Sequence, residues 1–415
     1  MCMPITIGPE HFPSRDALPA EAAERMEHCA FAYGTSYDSY LITERDREYF
    51  FSSGRRGVVG FRRWGRKMQV GGGLLADPAD QEELLVELLA FARSQRCHLT
   101  FFGLGRSDFQ LYRQFGFQIT KLGEEPIVVL DETEFKGQPY EWLRRQEKGC
   151  QKNGLTFREV DPITEGVDYA NRMAPELESI SNEHVAGTVH RREMKFFVGQ
   201  FEPLALGRRR LFVAETASRI ECFLVLNPCL SGGMWAIEIF RKREDAVRGC
   251  IPFAMLQVMR QLKMEKARYV SLSLVPWVRY NATVAGDSSL FRLVNHCLWH
   301  YGNALYDVRG MYHFKSRFRP HWREMYVASL PAIDWLSVVG IGMSWGLFRV
   351  NPLRVVANWW QMRQDTNRKS LAEPPWRPER VIRNLRIGDR LADPIVELNR
   401  TTDALNCDSR KGARL

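Results

Sequence analysis

The stretch from Trp235 to Leu262, WAIEIFRKREDAVRGCIPFAMLQVMRQL, constrains this chain more than any other. It opens as an apolar strand, Trp235-Ala236-Ile237, that carries a carboxylate at Glu238 and a guanidinium three residues later at Arg241. A polar loop follows and closes on Arg248-Gly249. Pro252 then suits the first turn of a helix, where its missing N–H costs nothing. Ile251, Met255, Val258, Met259 and Leu262 recur at the spacing of a helix with one buried face. Strand, short basic turn and helix together aim helix-start N–H groups at an anion. Glycine is sparse in the turn, so an ordinary strand-to-helix connection reads equally well there.

At 415 residues the chain can bury a large core, and two domains are expected. Apolar residues make up 45% and charged residues 26%, the balance of a soluble globular protein. The net charge of +9 and pI near 9.1 suit a polyanionic partner such as RNA or an anionic bilayer. Nine cysteines, an odd number without a CxxC pair, read as reduced cytosolic thiols and not as a disulfide frame or zinc site. The N-terminus has no basic-then-apolar signal region. The apolar run 335–348 falls short of the roughly 20 residues that cross a bilayer.

Taken in order, the pattern predicts one helix over 19–28 and strands over 31–33, 40–42, 49–52 and 58–61. Gly71-Gly72-Gly73 reads as a loop, and Asp80 with Glu83 as a capping box for a helix striped by Leu84, Leu85, Leu88, Leu89 and Ala92. A strand over 99–102, a helix from 108, and strands over 118–121 and 127–130 follow. A basic polar helix over 138–152 ends at Asn153-Gly154, where the domain junction falls. The second half repeats the order. It has a strand over 157–160, helical segments over 167–180 and 191–197, and a meander over 210–215, 220–226 and 234–239. The central helix, a strand over 269–274, a helix over 290–301 and a closing segment over 305–317 complete it. Strands interrupted by helices give an α+β class, and two halves of like order suggest a tandem duplication. The expected division is 1–136, a linker helix 137–154, 155–328, an amphipathic membrane-interface segment 329–362, and a polar, disordered tail 363–415.

Four motifs carry a resemblance. They are Lys121-Leu122-Gly123-Glu124-Glu125; Leu143-Arg144-Arg145 with Gly154-Leu155; Glu238-Ile239-Phe240-Arg241; and Phe314-Lys315-Ser316-Arg317-Phe318 with Pro320 and Trp322. In this order and spacing the chain resembles the C-terminal catalytic domain of the phosphatidylglycerol lysyltransferases, the aminoacyl-phosphatidylglycerol synthases. The resemblance implies a tandem GNAT fold, each domain a mostly antiparallel central sheet flanked by helices. The family's membrane flippase domain is not found. Departures are Glu238 where the family usually has Asp, Arg317 where it has Lys, and Lys148 where it often has Asn.

The reaction so implied moves an aminoacyl group from aminoacyl-tRNA to a hydroxyl on an anionic membrane lipid, peripherally at the inner face of the cell membrane. The donor is an activated ester, so no metal or redox cofactor is expected. Glu238 then holds an ammonium or takes the acceptor proton, and Arg241 forms a bidentate contact with phosphate. Lys315 and Arg317, two apart and on one face if extended, clamp a phosphate or stabilise the oxyanion. These four are expected to converge on one cleft. Glu238 with Arg241 reads alternatively as a structural ion pair. Arg144, Arg145 and Lys148 suit tRNA phosphates or a solvated helix. Glu125 is a donor contact, although adjacent carboxylates before a strand are expected to face solvent. Residues 62–67 read as an RNA-end contact or a basic hairpin tip. His296 and His300 lack a third ligand and read as ordinary histidines. Two other classes stay open: a GNAT-type acyl-CoA transferase, whose second turn glycine is missing after Arg243, and a non-catalytic membrane-associated scaffold.

Overall fold

The computed structural model describes residues 8–347 except 189, 191 and 192, together with Trp360. The first half runs β1 (Glu10–Phe12), α1 (Ala20–Tyr33), β2 (Glu48–Phe51), β3 (Val58–Trp64), β4 (Lys67–Leu75), α2 (Gln81–Ser94), β5 (His98–Leu104), α3 (Phe109–Gln114) and β6 (Gln118–Val129). Helix α4 (Glu141–Lys152) follows. The second half runs β7 (Thr156–Val160), α5 (Pro162–Asp168), α6 (Ala174–Gly187), β8 (Arg210–Glu215), β9 (Ile220–Cys229), β10 (Met234–Lys242) and α7 (Cys250–Met264). It closes with β11 (Tyr269–Ser271), β12 (Val275–Pro276), α8 (Ser289–Tyr301), α9 (Val308–Ser316), β13 (His321–Leu330) and α10 (Trp335–Trp345). The predicted tail 363–415 and the end of the predicted membrane segment lie outside the described residues, Trp360 excepted.

All the strands join one sheet, ordered β1-β2-β3-β4-β5-β13-β6-β11-β10-β9-β8-β7, with β12 also on β6. The order holds an exchange. Strand β6, which ends the first half, pairs with β11 of the second; β13, which ends the second half, pairs with β5 of the first. The two closing strands pair with each other. Each half also has one parallel pair joined by a helix, β4-α2-β5 and β10-α7-β11. Both pairs stop early, at Val70–Phe101 and at Ala236–Ser271, and the strands then part.

Alternate residues of the sheet feed different cores. Phe212, Ala214, Cys222, Leu224 and Leu226 pack with α7, whereas Leu211, Val213, Phe223 and Val225 pack with Leu177 and Ile180 of α6. In the first half Val59, Phe61, Met68 and Val70 meet the leucine stripe of α2, and Tyr49, Phe51 and Val58 meet α1. Helices α8, α9 and α10 share a further core with Phe102, Leu122 and Val327.

Several expectations change. Residues 31–33 complete α1, whose buried stripe Ala22, Met26, Cys29 and Ala30 extends the helix to Gly34. A side chain at Gly34 would meet the Ala30 carbonyl at 2.3 Å, so glycine fits the stop. Residues 40–42 form a 3-10 turn, and Gly71-Gly72-Gly73 lies within β4. Asp80 and Glu83 do not form a capping box; Arg56 binds both carboxylates instead. The two strands expected over 118–130 are one continuous strand, β6. Residues 193–197 are irregular, not helical. The segment carrying Lys315 is the helix α9, begun by the Asp307 side chain accepting the Gly310 N–H at 3.0 Å.

Candidate active site

Glu238 owes its position to an irregularity in β10. Opposite β9, Ile237 pairs with Leu226 and Ile239 with Val225, so Glu238 is the extra residue of a β-bulge. A bulge re-aims the side chains around it. The cores register the change: Ile237 lies in the α7 core, and Ile239, two residues on, in the α6 core. Here too β10 parts from β11. Ser273 enters the gap, at a φ of +60°, with its hydroxyl 3.1 Å from the Ile237 carbonyl and 2.9 Å from Glu238 Oε2. Glu238 Oε1 accepts the Gly199 N–H at 2.9 Å.

From α9, Lys315 Nζ donates to the Ser273 carbonyl at 3.0 Å and the Leu274 carbonyl at 3.3 Å. Arg241 Nη2 lies 3.5 Å from Glu193 Oε1, and its buried Nε has no partner among the described residues. On β6, Glu125 accepts from the Ser271 hydroxyl at 2.5 Å and from Arg323 Nε at 3.0 Å. Adjacent strands β6, β11 and β10 thus each contribute a polar group where the halves meet, and α9 adds the lysine.

Burial pushes the Lys315 ammonium down to about 7, although the Glu238 and Glu125 charges pull it upward. Burial also raises the Glu238 carboxyl, against the Gly199 and Ser273 donors and the Lys315 charge. Tyr306 is pushed up to about 12 by burial and then by Glu238. Lys315 is 3% exposed, whereas Glu238, Arg241 and Tyr306 each keep partial exposure, so the cluster reaches solvent on their side. A cavity of about 330 Å³ lined by Glu178, Asn182, Glu193 and Phe201 adjoins Arg241 through Glu193. Such a set can hold a cation at Glu238, bind an anion at Arg241 and exchange a proton at Lys315 near neutral pH.

Glu238, Arg241, Lys315 and Glu125 therefore gather. Glu124 and Glu125 are both buried, contrary to their expected solvent exposure, because they sit mid-strand in the centre of the sheet. A register shift opposite Met325 and Tyr326 sets Glu124 with Lys121, 3.1 Å away, on a second network. Arg317 stands elsewhere: α9 is helical, so residues two apart diverge. Its guanidinium lies 4.5 Å from the Trp142 ring centre, and its Nη2 lies 3.0 Å from His313 Nε2. That sets it beside α4, where Arg144 Nη2 donates to the Gly137 carbonyl at 2.9 Å, Arg145 pairs with Glu141, and Lys148 is exposed. Residues 64–67 form a hairpin tip, with Trp64 opposite Lys67. His296 and His300 flank the Tyr280 hydroxyl at 2.8 and 3.1 Å. Among the described residues no group of three or more His, Cys, Asp or Glu is placed to hold a metal. Sequence reasoning missed Ser271, Ser273, Tyr306, Glu193 and Arg323; of these only Arg323, beside Trp322 of the last motif, had a nearby signal.

The turn before α7 is already occupied. The Val247 N–H donates to Glu221 Oε2 at 3.0 Å, and Glu221 is buried. Helix α4 closes over the same turn: a side chain at Gly249 would meet Gln146 Oε1 at 2.4 Å, and Cys150 Sγ contacts the Arg248 carbonyl. The matching turn before α2 carries Asp77, Asp80, Glu82 and Glu83.

The family described as phosphatidylglycerol lysyltransferase, C-terminal, matches residues 31–329. The phosphatidylglycerol lysyltransferase of Bacillus subtilis (strain 168) is 25% identical over 295 residues, 70% of this chain and 33% of that protein. That of Staphylococcus aureus (strain MRSA252) is 22% identical over 311 residues, 73% and 35% respectively. The chain thus spans about a third of the length of these curated relatives. Its fold recurs in solved structures. The C-terminal domain of a putative lysylphosphatidylglycerol synthetase from Agrobacterium fabrum has a TM-score of 0.66 at 24% identity, covering 78% of this chain and 96% of that one. L-PGS from Bacillus licheniformis has a TM-score of 0.65 at 21% identity, covering 83% and 99%. The expected α+β class, with two halves of like order around a large central sheet flanked by helices, is the fold found. On the span of the family match, the chain belongs to the phosphatidylglycerol lysyltransferase C-terminal family.

Proposed function

We propose that this chain is a transferase that moves an aminoacyl group from aminoacyl-tRNA to a hydroxyl of an anionic lipid headgroup such as phosphatidylglycerol, working peripherally at the inner face of the cell membrane. The observation that carries the reading is the linked set Glu238, Ser273 and Lys315 at the bulge in β10. Glu238 holds the ammonium of the aminoacyl group. Lys315, neutral in part near pH 7, takes the proton of the attacking lipid hydroxyl. The new ester bond forms at the aminoacyl carbonyl, and the tRNA's terminal ribose oxygen leaves and is protonated. Arg241, with its unpartnered Nε, binds a phosphate of either substrate. Arg144, Arg145, Lys148 and the neighbouring Arg317 follow tRNA phosphates, and Glu125 positions Ser271 and Arg323 beneath the site. An activated ester drives this chemistry without a metal or redox cofactor.

Glu221 disfavours acyl-CoA as donor. A carboxylate already accepts the Val247 N–H at the turn before α7, so a pyrophosphate there would meet a like charge. The test is reconstitution of the purified chain with aminoacyl-tRNA and phosphatidylglycerol vesicles, with lipid products read by mass spectrometry. Aminoacylated lipid that disappears on adding ribonuclease is expected. Transfer that survives ribonuclease and follows added acyl-CoA would overturn the reading.

A further inference from the structure

Helix α10 has two unlike faces. Ser337, Gly340, Ile341, Ser344 and Trp345 are buried against the body. A side chain at Gly340 would meet the Trp64 ring at 2.9 Å, so the helix lies close on the β3–β4 hairpin. The opposite face carries Trp335 at 62%, Leu336 at 61%, Val339 at 39% and Met343 at 43% exposure, an apolar stripe at helical spacing. The start of the helix is pinned: Lys67 Nζ lies 2.8 Å from both Asp334 carboxylate oxygens, and Asp334 Oδ1 accepts the Ser337 N–H at 2.6 Å.

A basic patch adjoins that pinned end. Lys67 Nζ also lies 2.9 Å from His98 Nδ1, and the His98 N–H donates to the Arg66 carbonyl at 2.8 Å. Arg66, Arg93 and Arg96 are exposed around this point and form no ion pair among the described residues. Eleven residues rise about 16 Å, roughly half the hydrocarbon thickness of a bilayer, so α10 is too short to cross one.

We infer that the stripe Trp335, Leu336, Val339 and Met343, with Arg66, Arg93 and Arg96 beside it, is the surface on which this protein docks to an anionic bilayer. Apolar side chains enter the acyl boundary while unpaired guanidinium groups meet lipid phosphates, the division of labour of an interfacial helix. A second copy of the chain offers no such match, since it brings the same three cations. The inference deepens the proposed function, whose acceptor is a bilayer lipid.

The test uses the full 415-residue chain and two variants, Trp335→Ser/Leu336→Ser and Arg93→Glu/Arg96→Glu. Sedimentation with phosphatidylglycerol vesicles is compared with phosphatidylcholine vesicles, and thermal melts verify folding. Wild type should sediment with the anionic vesicles only, and each variant should partition about tenfold less. Equal sedimentation of wild type and both folded variants, or none for wild type, would overturn the docking surface. So would a wild-type dimer in sedimentation velocity that the Trp335→Ser/Leu336→Ser change dissolves. Transfer to a short-chain, water-soluble phosphatidylglycerol separates the two claims. Folded variants should keep that activity, whereas its absence in wild type counts against the chemistry and leaves the sedimentation result to decide docking.

Discussion

Glu238 and Lys315 meet through a single intermediary. The Ser273 hydroxyl lies 2.9 Å from Glu238 Oε2, and the Ser273 carbonyl accepts from Lys315 Nζ at 3.0 Å. The carboxylate and the amine are thus held close while each keeps capacity for a ligand. A direct buried ion pair would satisfy both groups and leave little for chemistry.

Lys315 sets a pH dependence. Its folded pKa is lowered from 10.5 to about 7, so between these values the unfolded state binds more protons. Its contribution to stability therefore rises with pH across that window and is lowest below it. Urea unfolding at pH 7 and pH 9 should show this rise in wild type and a smaller one in Lys315→Met. The kcat/KM for transfer should fall on the acid side with an apparent pKa near 7, and that limb should vanish with the residual activity of Lys315→Met.

Ser273→Ala removes the hydroxyl but keeps the carbonyl that holds Lys315. Loss of a hydrogen bond to a charged group is worth about 1.5–3 kcal/mol, so kcat should drop about 10- to 100-fold. Circular dichroism should show an unchanged fold. An unaltered kcat would remove Ser273 from the mechanism.

The turn before α7 should not accept an acyl-CoA. Calorimetric titration of wild type with acetyl-CoA should give no heat of binding beyond dilution. Glu221→Ala should cost about 1–3 kcal/mol in stability, since the Val247 N–H loses its buried acceptor. Saturable binding of acetyl-CoA by wild type would reopen the acyl-CoA reading.

The exchange of β6 and β13 ties the halves together. Leu88→Ala in α2 and Leu256→Ala in α7 should each cost about 2–5 kcal/mol. Both should lower the same single calorimetric transition. Two resolved transitions, each moved by one substitution, would mean the halves unfold separately.

Local rules reached much of this fold. The stripe over 251–262 placed α7, the stripe over 84–92 placed α2, and the order of elements gave the α+β duplication. Failures came where tertiary context outweighed local pattern. Glu124 and Glu125 read as surface groups because nothing in their neighbours announces that β6 is a central strand with cations on both faces. Arg317 shares a face with Lys315 only in an extended segment, and Asp307 begins a helix there. Ser273 and Glu193 sit in loops, and only the parting of β10 from β11 gives those loops a purpose.

The central claim is that Glu238 is held for chemistry and not for folding. Glu238→Ala should be assayed for transfer and thermal stability in the same preparation, with Glu238→Asp beside it. The account predicts at least about a 100-fold loss of transfer for alanine, partial activity for aspartate, and melting temperatures close to wild type. An alanine variant that unfolds, or one that transfers at the wild-type rate, would contradict it.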